Sequence, residues 1–160
     1  MSDTKLRIEK ATILLKKDHD ELKRLFEDYD EAGDIGESER MEIFGEIRRL
    51  LRVHTELEDA IFYPAIEALG EEGGAARAIR EARDEHRQVS AILDEMSELP
   101  PSDDAFSSKM TILRDHVETY VEEEERTIFP LFRKLEREEQ DRLSEELRSR
   151  RMEDPDRGES

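Results

Sequence analysis

Apolar residues recur at alternating steps of three and four along four long stretches of this chain, one stripe to each stretch. That step is the period of a single helical face, whereas a half-buried strand would need every second residue. The stripes run through Leu15, His19, Leu22, Phe26 and Tyr29, then Ile43, Ile47, Leu50, His54, Leu57, Ile61 and Ala65. The second pair runs through Ile79, Ala82, His86, Val89, Leu93 and Met96, then Leu113, Val117, Tyr120, Glu124, Ile128 and Leu131. Breaks at Gly33–Gly36, Gly70–Gly74 and Pro100-Pro101 separate the stretches. The spacing predicts helices over about 4–32, 38–69, 74–99 and 102–135, with Ser38 as the N-cap of the second and Asp103 and Asp104 in the first turn of the fourth. One stripe per helix and short connections specify an all-α, up-down-up-down four-helix bundle. The bundle is expected over residues 1–137, a short amphipathic helix over 138–152 and a disordered tail over 153–160.

Composition matters here mainly for what it excludes. The chain has 160 residues, enough for one core, and 44 acidic against 26 basic residues give a formal net charge of −18. Such a charge opposes passive binding to nucleic acid or anionic lipid. No cysteine is present, so disulfides, thiolate zinc sites, iron–sulfur clusters and thiol catalysis are excluded. No apolar run approaches the length of about 18 residues that a membrane span needs. Met1–Glu9 is mixed in charge and lacks the apolar centre of a signal peptide, so a cytoplasmic protein is expected. A chain that is 44% charged would suit disorder, but its periodicity does not.

The informative residues are polar ones inside the apolar stripes. The chain has four histidines, one per predicted helix. His19, His54 and His86 sit mid-stripe, and His116 lies beside Val117 at a stripe's edge. Glu58, four residues after His54, and Glu124, four after Tyr120, share the inward face. By helical phase, Glu124 alone of the run Glu122–Glu125 points inward, and the others are expected on a solvated face. Pro64 and Pro130 are expected to kink their helices just past the ligand turn, with Tyr63 and Phe129 as packing.

The second half repeats the first at an offset of 66 to 67. Asp18-His19 corresponds to Glu85-His86, and the stretch from His54 through Glu58 to Pro64 corresponds to that from Tyr120 through Glu124 to Pro130. Two helical hairpins related by a pseudo-twofold axis would bring His19, His54 and Glu58 opposite His86, Tyr120 and Glu124 at one depth. A carboxylate in an apolar stripe is costly unless it is protonated, paired or bound to metal. A lone histidine on such a face is ordinarily a hydrogen-bonded core residue. Matched imidazoles and carboxylates from every helix instead make a mixed nitrogen–oxygen cage. Residues at i and i+4 lie roughly 6 Å apart along the axis, a span that suits two neighbouring metals. Without thiolates, iron or manganese is favoured over structural zinc.

These residues resemble the hemerythrin-like family, the HHE cation-binding domain, over about 11–135. The pieces that carry the likeness are Lys17-Asp18-His19, His54-x-x-x-Glu58 ending in Phe62-Tyr63-Pro64, Glu85-His86, and Val121–Glu125 ending in Ile128-Phe129-Pro130. The resemblance implies a bundle that holds two non-haem iron ions. Its ligands would be His19, His54, Glu58, His86 and Glu124, with Glu58 and Glu124 bridging the irons together with an oxo or hydroxo group. The family has a second H-x-x-x-E, whose histidine would fall at position 120, where this chain has Tyr120. Either Tyr120 ligates as a phenolate, or His116 reaches across one turn, or the site has one ligand fewer. A hard anionic donor suited to Fe(III) favours Tyr120. An anionic ligand there would lower the reduction potential and count against reversible dioxygen carriage.

The function expected is a di-iron protein that binds or reacts with O2, peroxide or NO, in sensing, detoxification or iron handling. Whether it turns over a substrate stays open. One alternative is a ferritin-like di-iron carboxylate oxidase, but the positions three residues before each histidine are Lys16, Leu51, Arg83 and Leu113, none a glutamate. The other is a helical interaction module with a structural metal.

Overall fold

The structure, a computed structural model, describes residues 10–33 and 36–153. It is an all-α, up-down-up-down four-helix bundle with a further C-terminal helix. Helix α1 spans Ala11–Ala32 and α2 spans Glu37–Leu57. A π-helical turn, Glu58–Phe62, continues α2 directly into the short α3, Tyr63–Glu67. A 3-10 turn at Glu72–Gly74 leads into α4, Ala75–Ser97. Helix α5, Asp104–Glu123, runs into a second π-helical turn, Glu124–Ile128, and a 3-10 segment, Phe129–Lys134. Helix α6, Arg137–Met152, is the last of the described elements.

Several boundaries differ from the sequence expectation for local reasons. Lys10 is extended and Ala11 is the first helical residue, so α1 does not continue back toward Thr4; residues 4–9 lie outside those described. Gly36, not Ser38, occupies the N-cap position of α2. Asp103 caps α5, its side chain accepting from the Ala105 N–H at 2.9 Å. In α2 the buried positions are Phe44, Ile47, Leu51, His54 and Leu57, so the stripe passes through Phe44 and Leu51 rather than Ile43 and Leu50. The tail expected from 153 onward falls, except for Glu153, outside the described residues.

The apolar interior forms two clusters. One gathers Leu15, Leu57, Phe62, Ile66, Ile79, Ile128 and Phe132 with others. The other gathers Leu22, Phe26, Ile47, Leu51, Val89, Met96, Phe106, Leu113 and Val117 with others. Each fully buried side chain of this size stabilises the fold by roughly 1.5–3 kcal/mol. Between the clusters, at one depth of the bundle, lie His19, His54, Glu58, His86 and Glu124, all buried. Helix α6 packs on α1, α2 and the first π turn, and its Leu143 and Leu147 join the first cluster. At the α3–α4 connection Gly73 has a positive φ of 62°, and a Cβ there would meet Leu131 Cδ2 at 2.8 Å. The positive φ favours glycine here, and a Cβ would require the Leu131 side chain to shift.

Candidate metal centre

Three imidazoles converge through the same atom. His19 Nε2 lies 2.9 Å from Glu124 Oε1, His54 Nε2 lies 3.1 Å from Glu58 Oε2, and His86 Nε2 lies 3.0 Å from Glu58 Oε1. One ligand atom each from His19, His54, Glu58 and Glu124 lies within 4.8 Å of the other three. Glu58 therefore turns one oxygen to His54 and the other to His86. Glu124 does the same: Oε1 faces His19 and, at 3.9 Å, His54, while Oε2 accepts from the Tyr63 hydroxyl at 2.7 Å. Tyr63 is itself 3.4 Å from His86 Nε2. Both carboxylates thus straddle the gap between a His19/His54 side and a His86/Tyr63 side.

The outer nitrogens are held by a second set of carboxylates. Nδ1 of His54 donates to Asp18 Oδ2 at 2.8 Å, that of His19 to Glu125 Oε2 at 2.8 Å, and that of His86 to Asp59 Oδ1 at 2.9 Å. Each of these carboxylates is the chain neighbour of an inner residue: Asp18 of His19, Asp59 of Glu58, Glu125 of Glu124. Each holds a histidine on a different helical rod, so the four rods are cross-tied. A proton fixed on Nδ1 leaves the Nε2 lone pair for a metal. The expectation that the acidic run outside Glu124 is merely solvated therefore fails for Glu125.

The internal repeat persists in space and breaks at one slot. Tyr63 stacks on His86, with ring centroids 5.3 Å apart at 17°, as Phe129 stacks on His19 at 5.5 Å and 4°. Asp59 corresponds to Glu125. The equivalent of His54 is Tyr120, which meets the His86 ring edge-on at 5.3 Å and the His19 and His54 rings at 6.1 and 6.4 Å. Its hydroxyl is buried and makes no hydrogen bond. The equivalent of Asp18 is Glu85, which has no imidazole at position 120 to hold. Its Oε1 instead lies 3.3 Å from His116 Nδ1. The structure thus brings together His19, His54, Glu58, His86, Tyr120 and Glu124. His116, half-buried and turned to Glu85, stands apart.

Tyr63 was expected as packing only. In an unbroken α-helix it would sit about 140° round the axis from Glu58. The π turn adds a residue, its backbone N–H bonds Glu58 O, and its side chain swings beneath the carboxylate. Phe129 makes the same bond to Glu124 O. The sequence signal was the identical six-residue gap from each glutamate to a proline, Glu58 to Pro64 and Glu124 to Pro130.

The side chains of the cluster balance charge among themselves. Burial would depress the His54 imidazolium, yet the carboxylates of Glu58, Asp18 and Glu124 hold its pKa well above 6.5. Burial likewise opposes charge on His86, but Asp59 and Glu58 raise it to about 9. Burial and the charge of Glu124 push Glu58 up, while Glu124, despite its burial, is held well down by hydrogen bonds from Glu58, His19 and His54. Burial and the two glutamate charges keep Tyr120 and Tyr63 as neutral phenols. Even so, His54 Nε2, Glu58 Oε2 and the Tyr120 hydroxyl, all buried, make no aligned hydrogen bond. Orphaned donors and acceptors of this kind, all nitrogen or oxygen, fit a hard or borderline cation.

Among the described residues, grooves reach this cluster from several sides. One ends at His19 and one at His86, whose ring nitrogens are already engaged on both sides. The third, about 520 Å³ between α4 and α5, passes Ala78, Ala82 and Thr127 and ends at Tyr120 and Glu124. Among the described residues no helix is long and apolar enough to cross a membrane.

Comparison with known proteins agrees with this geometry. The family model of the hemerythrin HHE cation binding domain matches residues 11–132. A crystal structure of a hemerythrin HHE cation binding domain-containing protein from Mycobacterium kansasii, a homolog of Rv2633c, superimposes with a TM-score of 0.76. It is 28% identical and is covered over 85% of its length by 89% of this chain. The uncharacterized protein Rv2633c of Mycobacterium tuberculosis is 30% identical over 117 residues, which are 73% of this chain and 68% of that one. A protein of Nostoc sp. named DNA nickase is 28% identical over 120 residues, 75% of this chain but 32% of the nickase, so the chain spans about a third of that relative.

Proposed function

The chain belongs to the hemerythrin HHE cation-binding domain family, and we propose that it holds two iron ions at the polar level of its bundle and presents them to O2, peroxide or NO. The observation that carries this reading is the straddling of both glutamates. Each turns one oxygen to the His19/His54 side and the other to the His86/Tyr63 side. A carboxylate so placed serves two cations better than one.

In this assignment His19 and His54 would hold one ion, His86 and Tyr120 the other, and Glu58 and Glu124 would serve both. When bound, the iron pair supplies redox equivalents and Lewis acidity to a small ligand. The protein's own part is orientation. Asp18, Glu125 and Asp59 fix the three imidazoles with Nε2 inward. Tyr63 carries a proton to within 2.7 Å of Glu124 Oε2 and holds that carboxylate's rotamer. Burial and the glutamate charges keep Tyr120 a neutral phenol, and to serve as an anionic donor it would have to give up that proton. The groove over Tyr120 and Glu124 gives a diatomic or peroxide ligand its approach, because it ends on a buried hydroxyl with unused bonding capacity. Strand cutting is not carried over from the Nostoc nickase: a net charge of −18 opposes a phosphate backbone, and the chain spans a third of that protein.

Metal analysis of aerobically purified protein, with its visible spectrum, tests the assignment. About two irons per chain are expected, as a two-metal site requires. A reproducible content of one zinc and no iron would overturn it.

A further inference from the structure

We propose that Arg151, on the C-terminal helix, is a positioning residue of the metal centre that acts on His54 through Asp18. The inference rests on the metal-holding reading above and extends it past the end of the matched domain at residue 132. One oxygen, Asp18 Oδ2, accepts from both His54 Nδ1 and the Arg151 guanidinium. The three outer carboxylates are not alike. The side chains of Asp59 and Glu125 are 42% and 32% exposed, so water can complete their hydrogen bonding. That of Asp18 is 7% exposed, beneath α6. A buried carboxylate must find its counter-charge within the protein, and removing that partner strands the charge.

Helix α6 is built to deliver the cation. Leu143, Leu147 and Arg151 follow at steps of four along one face. Leu143 and Leu147 are sunk in the apolar cluster below the site. Ser144 Oγ accepts the Ala11 N–H at 2.8 Å and donates to Gln140 O, which pins the helix against the first turn of α1. Arg151 then falls two turns beyond Leu143, level with Asp18. Arg148 of the same helix points elsewhere, to the exposed Glu145. With Arg151 in place, the Asp18 oxygen that holds the His54 Nδ1 is itself held from the other side, and the carboxylate orients the ring.

The test uses the full chain, stripped of metal and titrated with Co(II), whose visible bands report its ligand field. Arg151→Gln is expected to weaken one of the bound cobalts by on the order of tenfold and to shift its bands. Arg151→Lys should recover most of both, and Arg148→Gln should alter neither. A purely structural role would lower the melting temperature while leaving cobalt affinity and bands as in the wild type, and that result overturns the proposal. Failure of the wild-type chain to bind cobalt at all would overturn the metal reading itself and this inference with it.

Discussion

A phenol at position 120 occupies the slot that the internal repeat assigns to an imidazole, and its hydroxyl has no protein partner. If it ligates, the ferric protein should show a broad phenolate-to-iron charge-transfer band. Tyr120→Phe should abolish the band, and His116→Ala, which alters a side chain facing Glu85, should leave it. Tyr120→His should remove the band and ease reduction, since a neutral donor stabilises Fe(III) less than an anionic one. Glu85, the repeat's counterpart of Asp18, would have to leave His116 to take up the new Nδ1. A band that survives Tyr120→Phe would exclude Tyr120 as its source. Protonation gives a second test at this scale. The pKa of His86 rises from 6.5 unfolded to about 9 folded, and that of His54 shifts the same way. Protonation therefore stabilises the metal-free fold fully below about pH 6.5, and this contribution fades as pH climbs through 9. Metal would displace these protons and, with Tyr120 as a ligand, the phenol proton as well, so affinity should rise with pH over that window, with about three protons released per chain at pH 7. A pH-independent affinity measured by calorimetry in two buffers would contradict this. The inner residues were legible in the sequence because each is a polar break in an apolar stripe. Asp18, Asp59 and Glu125 were not, because an acidic residue on a helix flank looks the same whether it faces water or the back of an imidazole.

At the scale of elements, the stripes located every long helix but hid the two π turns. Periodicity averages over many residues, and one extra residue leaves the 3.6 pattern on either side intact. Yet the turn decides which side chains enter the site. It places Phe62, Tyr63 and Ile66 inward, all fully buried. Ala60 lies in the first π turn with its side chain exposed, so its deletion removes no core contact directly. Deletion should nonetheless restore α phase and rotate either the His54 side or the Tyr63 side by about 100°. The expected result is loss of bound iron and a destabilisation above ~3 kcal/mol from displaced apolar side chains, read by denaturant melts. Ala60→Ser, which keeps the residue count, should change little. Iron retention by the deletion variant would show that the π turn does not aim the ligands.

Across the whole molecule, the bundle was legible because its topology needs only one stripe per helix and short connections. The role of the last helix was not, because two leucines and a serine spaced along sixteen mostly charged residues carry little periodic signal. Bound metal should raise the melting temperature by about 10 °C at saturating iron, by mass action on the folded state. Equal melting of loaded and stripped protein at neutral pH would mean that no cation is held at this level. The division of the interior into two apolar clusters has a further consequence. Each long rod crosses both, and only a stratum of charged and hydrogen-bonded groups joins them. Stripped of metal, that stratum is a seam along which unfolding can split. Native-state hydrogen exchange should then find two opening energies within α4 alone, one for the amides around Ile79 and another for those around Leu93. With the seam riveted by two cations, both should collapse to a single global value, and the calorimetric and van't Hoff enthalpies should come to agree.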